Sequence, residues 1–193
     1  MKKFKLVTFF LICVALTFTA CGGPYYFDLY IKPQKNLTSL KIPKVLLVED
    51  IETNETFWNQ RMAYRSSPYQ IKYFIFKQWA KRPSELIKDT IVHFYKNSLL
   101  FEKVIERFST MEPDITMKVN IDALEMSHQK KNWFAHLALD IEIIDAKNEK
   151  IILTHFFDRK KRLKGKKTRY VPEKISEILQ EELLKIVKKL NQI

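Results

Sequence analysis

Strict alternation of apolar and polar residues runs through the middle of the chain. Ile115, Met117, Val119, Ile121 and Ala123 take every second position, and Trp133, Ala135, Leu137, Leu139, Ile141 and Ile143 do so again. A period of two belongs to a strand with one buried face, so both segments predict β-strands. Between them the phase flips to Leu124 and Met126, which predicts a bulge or bend. The turn-forming stretch DAKNEK (145 to 150) leads into a third run, IILTHFFDRKKR. Three long strands in succession predict an antiparallel meander.

Shorter signals precede the meander. KVLLVEDI (44 to 51) reads as a buried strand. Strand-like pieces near 61–65 and 70–76 flank Ser66-Ser67-Pro68, which predicts a hairpin. Pro83 then suits the first turn of a helix, where its missing N–H costs nothing, and Ile87, Ile91, Phe94 and Tyr95 follow at helical spacing. FEKVIE (101 to 106) predicts a short edge strand. At the C-terminus Ile175, Ile178, Leu179, Leu183, Ile186, Val187 and Leu190 form an apolar stripe. Early glutamates and late lysines suit that helix's dipole. The expected fold is α+β: a mostly antiparallel sheet with two helices packed on one face.

The N-terminus has a different pattern. Basic MKKFK is followed by fifteen uncharged residues (6 to 20) and then FTACGG. A basic start, an apolar stretch and a small residue at the cut describe an export signal. Fifteen residues at about 1.5 Å each are short for a hydrocarbon core of about 30 Å, which weighs against a permanent span. Phe18-Thr19-Ala20-Cys21 resembles a bacterial lipobox, with Phe18 in place of the usual Leu. The resemblance implies lipidation of Cys21, which becomes the mature N-terminus. Gly22, rather than Asp, after the cysteine implies outer-membrane sorting by the enteric pattern. Ordinary cleavage after Gly22 and an uncleaved anchor are the competing readings. The expected organisation is a signal peptide over 1–20, a lipidated N-terminus and tether over 21–43, and a single α+β domain over 44–193. Tyr25, Tyr26, Phe27 and Tyr30 are too aromatic for a free linker and predict docking on the domain or a partner.

Composition narrows the chemistry. The 193 residues are 46% hydrophobic, enough for one real core. Loss of Lys2, Lys3 and Lys5 with the leader lowers the formal charge from +12 to +9. Cys13 would also leave, so no disulfide framework is available. Gly165 is the one glycine beyond the cut region, which leaves no place for a phosphate-cradling loop or a nucleophile elbow. His93, His128, His136 and His155 form neither HExxH nor a short His-x-His pair. Folding the meander about its turns sets His136 near Leu124 and His155 near Asp140, so the histidines do not converge. Asp140 and Glu142 share a strand face opposite an apolar one. The expectation is no metal, no cofactor and no enzymatic activity. DRKKRLKGKKTRY (158 to 170) is the densest charge run, with Asp158 its sole acid. In an exported chain its partner would be anionic lipid headgroups or an acidic protein rather than nucleic acid, and a solvated loop is the plain alternative. Lys160, Lys161, Lys166 and Lys167 are the candidate contact residues, expected on an arm or a projecting hairpin end.

The stretch YRSSPYQIKYFIFKQWAKRPSELIKDTIVHFYKNSLLFEKVI carries a family resemblance. A Tyr-Arg hairpin (Tyr64, Arg65), a Tyr-rich strand (Tyr69, Tyr73), Trp79-Ala80 and Pro83 opening a helix, and Phe101 in the next apolar segment are similar to the ABC-type transport auxiliary lipoproteins, which include the lipoprotein of the paraquat-inducible system. YYFDLY after Cys21 is similar to the opening of mature members. The resemblance implies an accessory lipoprotein, held by lipid on Cys21 and facing the periplasm. It would dock an MCE-domain protein and ABC-type transporter subunits that move lipids or other apolar substrates. It leaves a homo-oligomer open. A lipid carrier with an apolar groove and a structural envelope lipoprotein are the rival readings. For Trp79 and the tyrosines, packing in the core competes with a partner-docking face.

Overall fold

The computed structural model describes residues 23–33, 41–106 and 109–192. The strands are β1 (Tyr25–Phe27), β2 (Ile42–Val48), β3 (Glu52–Thr53), β4 (Arg61–Ser67), β5 (Gln70–Trp79), β6 (Phe101–Ile105), β7 (Ile115–Gln129), β8 (Asn132–Asp145) and β9 (Ile151–Arg162). The helices are α1 (Pro83–Ser98) and α2 (Val171–Leu190).

β7 is the spine of the sheet. Along one edge it pairs antiparallel with the whole of β8, which pairs antiparallel with β9. The meander therefore forms as its alternation predicts. The bulge also forms: the register slips between Ile121 and Ala123, so Asp122 is the extra residue that returns Leu124 and Met126 to the apolar face. Along its other edge β7 holds three short strands end to end, β2 at Ile115–Met117, β3 at Asn120–Ile121 and β4 at Glu125–Ser127. All three run parallel to it. β6 pairs parallel with β2, and β1 pairs parallel with β5, which closes an antiparallel hairpin with β4.

The sheet is thus mixed rather than purely antiparallel: its long pairings are antiparallel, and the short ones along the other edge of β7 are parallel. Alternation tells which residues share a face but not which strand lies alongside. Helix α1 is the crossover that carries the chain from β5 to β6 and lets parallel neighbours form.

One apolar layer holds the molecule together. Met117, Val119, Ile121, Leu124, Leu137, Leu139 and Ile141, all of one strand phase, join Ile87, Ile91 and Phe94 of α1 and Ile175, Leu179, Leu183 and Ile186 of α2 in a single core. Both helices therefore cover one face of the sheet. Pro83 opens α1, and Leu99 ends it in a left-handed conformation, φ 55°. Pro172 lies in the first turn of α2, and Lys188 and Lys189 in its last.

Residues 25–31, within the expected tether, are built into this fold. β1 pairs with the end of β5, the Tyr30 N–H donates to Ser176 Oγ on α2, and Leu29 and Ile31 are buried in the core. Tyr25, the first residue of β1, is four positions after Cys21 in sequence. Trp79 is 1% exposed and belongs to the core.

Candidate functional site

The basic run does not leave the sheet as an arm. β9 continues through Arg162, and Arg159 and Lys161 lie on the helix-covered face. Lys161 donates to Glu177 at 3.0 Å and Glu181 at 2.5 Å, and Arg159 approaches Glu181 and Glu182 at 3.7 and 3.5 Å. Asp158 is the sole acid within the run, but the acids that compensate it come from α2, about twenty residues later in sequence. Lys160 is exposed on the opposite face, in register with His136. Lys166 is exposed in the loop before α2, with its Nζ 5.2 Å from the Trp133 ring centroid and 5.9 Å from that of Tyr64. Lys167, also exposed, caps a short 3-10 turn, Thr168–Tyr170. Of the four candidate lysines, Lys161 is thus held by ion pairs, while Lys160, Lys166 and Lys167 face solvent.

On the uncovered face, four strands contribute to a polar cluster that the sequence did not reveal. Glu125 of β7 is 1% exposed. Its Oε1 accepts from Arg65 Nε of β4 at 2.9 Å and lies 3.3 Å from His136 Nδ1 of β8. His136 Nε2 lies 2.8 Å from Asp158 Oδ1 of β9. Burial pushes the Glu125 carboxyl up, but the hydrogen bonds from His136 and Arg65 outweigh it and hold the group below its ordinary value. Sequence reasoning set His136 opposite Leu124. The bulge at Asp122 displaces the pairing by one residue and brings Glu125 there instead. His155 likewise sits opposite Ile141, not Asp140. In a strand a slip of one residue changes the face, so the cluster could not be read without the register.

His155 faces the helices. Its Nε2 lies 3.0 Å from Glu182 Oε2 and its Nδ1 2.9 Å from Lys189 Nζ, both on α2. Burial lowers its pKa, and the neutral ring fits the geometry: Nδ1 accepts from Lys189 and Nε2–H donates to Glu182. Glu182 is pushed up by burial but held below its ordinary value by Lys185 and His155. In both buried histidines each ring nitrogen lies within hydrogen-bond distance of a side chain on a neighbouring element. Among the described residues there is no group of three or more His, Cys, Asp or Glu placed to hold a metal ion.

The space between sheet and helices is filled. Leu139, Ile143, Ile178, Leu179 and Leu183 are each fully buried there, and Leu29 and Ile31 complete the layer. Concavities lie elsewhere on the described surface, among them an apolar one of about 400 Å³ lined by Ile42, Pro43, Leu99 and Phe101. One of about 310 Å³ on the uncovered face is lined by Glu49, Asp50, Glu52, Asp140 and Glu142 around Lys118. Another, of about 280 Å³, lies beside α1 and is lined by Asp28, Tyr30, Lys81, Asp89 and His93.

The most unusual surface is the β1–β5 edge. Gln78 pairs with Arg61 and Tyr73 with Ala63, so four residues of β5, Phe74 to Lys77, stand against Met62 alone. This wide bulge turns Ile75 and Phe76 into solvent, 76% and 55% exposed. Tyr25 and Tyr26 of β1 lie beside them and are also exposed. Tyr69, at the hairpin turn, is 98% exposed. Of the tyrosines expected to dock, Tyr25, Tyr26 and Tyr30 thus keep their rings outward while their backbone is tied down. Cys21 lies outside the described residues.

A family model described as the ABC-type transport auxiliary lipoprotein component matches residues 27–187 of the chain. Solved structures share the fold at low identity. A Xanthomonas campestris protein of the DUF330 family superposes with a TM-score of 0.75 at 14% identity, over 84% of this chain and 92% of that one. An uncharacterised protein does so at 0.68 and 12% identity, over 88% and 99%. A hypothetical protein from Chlamydia trachomatis reaches 0.53 at 9% identity, over 77% and 96%. No curated protein matches the chain by sequence.

Proposed function

Because the chain belongs to the ABC-type transport auxiliary lipoprotein family, we propose that it is a lipid-anchored, periplasm-facing accessory subunit, held through Cys21 and docking the other subunits of its transport system. Family membership carries the association with an ABC-type system and with the cell envelope. The anchor rests on the lipobox-like Phe18-Thr19-Ala20-Cys21, and Gly22 after the cysteine favours the outer membrane. The partners we favour are an MCE-domain protein and the transporter's membrane subunits, moving lipids or other apolar substrates.

The observation that favours a docking role over a carrier role is the filled layer between sheet and helices. A carrier has to sequester acyl chains, and here that space is occupied by Leu and Ile side chains, including Leu29 and Ile31 from the N-terminal segment. What the surface offers is contact area and charge. Lys160, Lys166 and Lys167 face outward, and any contact they make is electrostatic and weakened by salt within a Debye length of about 8–10 Å.

The test is affinity purification of the full-length chain, tagged at its C-terminus and expressed at native level, after cross-linking in its own cells. MCE-domain or ABC-transporter subunits should co-purify, and less so at higher salt. Replacing Lys160, Lys166 and Lys167 with Gln should reduce their recovery without changing the melting temperature. A purified, acylated chain that recovers no transport subunit would sink the docking reading.

A further inference from the structure

The β1–β5 edge exposes a compact apolar patch in the part of the molecule that the N-terminal anchor reaches first. β1 runs parallel to β5, with Tyr25 opposite Lys77 and Tyr26 opposite Gln78. Followed toward the N-terminus, the chain therefore heads past Phe76 and Ile75, the two residues that the bulge pushes into solvent. Cys21 is four residues before Tyr25. A fully extended chain spans about 3.3–3.6 Å per residue, so Cys21 lies within about 14 Å of Tyr25. An acylated Cys21 has to sit at the headgroup boundary. The domain then has no linker on which to stand away from the bilayer, and the edge carrying Tyr25, Tyr26, Ile75 and Phe76 is brought down to the interface.

The chemistry of the patch suits that place. Tyrosine has an apolar body and a polar tip and is enriched at membrane interfaces. Ile75 and Phe76 supply the apolar area that would enter the acyl boundary. Lys77 lies with its Nζ 3.6 Å from the Tyr25 ring centroid, and Lys72 is exposed on the same strand. The Phe74 ring meets Tyr64 at 4.6 Å, tilted by 36°, and the Lys166 Nζ lies 5.9 Å from the Tyr64 ring centroid, so part of the basic loop adjoins the same side. Cations flanking an apolar tip match an anionic headgroup layer, each adding about 1 kcal/mol near the surface.

We propose that the β1–β5 edge, with Ile75 and Phe76 at its tip and Tyr25, Tyr26, Lys72 and Lys77 around them, is a membrane-seating surface that fixes the orientation of the domain on an anionic bilayer. This rests on the acylation of Cys21. A diacylglyceryl cysteine carries two chains and anchors firmly, and the patch adds a second point of contact that removes rotational freedom.

The experiment uses the full mature chain carrying Phe76→Cys, reconstituted in phosphatidylethanolamine–phosphatidylglycerol vesicles and labelled with a thiol-reactive fluorophore. Cys13 and Cys21 are the natural cysteines, the first lost with the leader and the second blocked if acylated but absent if the chain is cut after Gly22, so the label count is read together with the intact mass, which has to carry the lipid on Cys21. Two labels per chain would remove the premise and the proposal with it. With one label, quenching by a nitroxide on the lipid should be several-fold stronger at position 76 than at a Lys188→Cys control on the exposed side of α2. Quenching by aqueous iodide should be correspondingly weaker. Full accessibility of position 76 to iodide would overturn the proposal. So would protection from both quenchers, which would assign the patch to a contact with a second copy of the chain.

Discussion

Replacing Trp79 with Ala separates core packing from docking. Trp79 ends β5 and is 1% exposed. It also stands where three segments meet. Its N–H donates to the Gln60 carbonyl, it pairs with Phe27 of β1, and the following Ala80 N–H donates to the Phe27 carbonyl. A buried aromatic side chain removes about 150–250 Å² from water. At about 25 cal/mol per Å² that area contributes roughly 4–6 kcal/mol, an upper estimate because denatured chains bury part of it already. Large-to-small aromatic substitutions in cores cost about 3–5 kcal/mol, so about 4 kcal/mol is expected. Domains of this size have about 5–15 kcal/mol in total and lose about 2–4 °C per kcal/mol, which predicts a fall in melting temperature of about 8–16 °C. Urea titration followed by far-ultraviolet circular dichroism gives the free energy, and thermal melts give the shift. Tyr69→Ala is the matched control, because Tyr69 is 98% exposed and should leave both unchanged. A Trp79→Ala melt that coincides with the parent would refute the packing argument and return Trp79 to the docking alternative.

Two further outcomes follow from the same geometry. Lys130 and Lys131, the turn between β7 and β8, have φ of 44° and 69°, a left-handed conformation that lysine adopts at a cost. Replacing them with Asn-Gly, the pair that such two-residue hairpins favour, should stabilise the domain by about 1–2 kcal/mol, read as a higher urea midpoint. Stability should also fall on acidification, in two stages. Burial holds the His155 pKa below 6.5, so the unfolded chain takes up its proton first and stability is lost as pH falls from about 6.5. Glu125 and Glu182 are held below 4.5 and contribute a second loss below that value. Urea midpoints measured from about pH 8 to about pH 3 should show both stages, and His155→Gln should abolish the first and reduce the second, because His155 also helps hold Glu182 down. An unchanged upper stage in that variant would mean that another group sets it.

Periodicity alone determined the local elements. The alternation of Ile115 to Ala123 and of Trp133 to Ile143 gave strands because a buried face repeats every second residue. The shift to Leu124 and Met126 located the bulge, and Ile87 to Tyr95 and Ile175 to Leu190 gave the helices with their buried sides. These are properties of a chain meeting water, and each is written within one element. What lies between elements was not written there. The parallel pairing of β2, β3 and β4 along β7 depends on a crossover whose path no local pattern encodes. The cluster of Arg65, Glu125, His136 and Asp158 takes one residue from each of four strands and appears only once their registers are set. Lys161 looked like one member of an unpaired basic run, and the acids that hold it, Glu177 and Glu181, arrive from α2 across the core. The protrusion of Ile75 and Phe76 has the same origin. In sequence they continue an apolar strand, and only the pairing of β5 with β4 on one side and β1 on the other leaves them facing out. Burial preference acts residue by residue along the chain, whereas pairing and exposure are decided by which surfaces meet when the chain closes on itself.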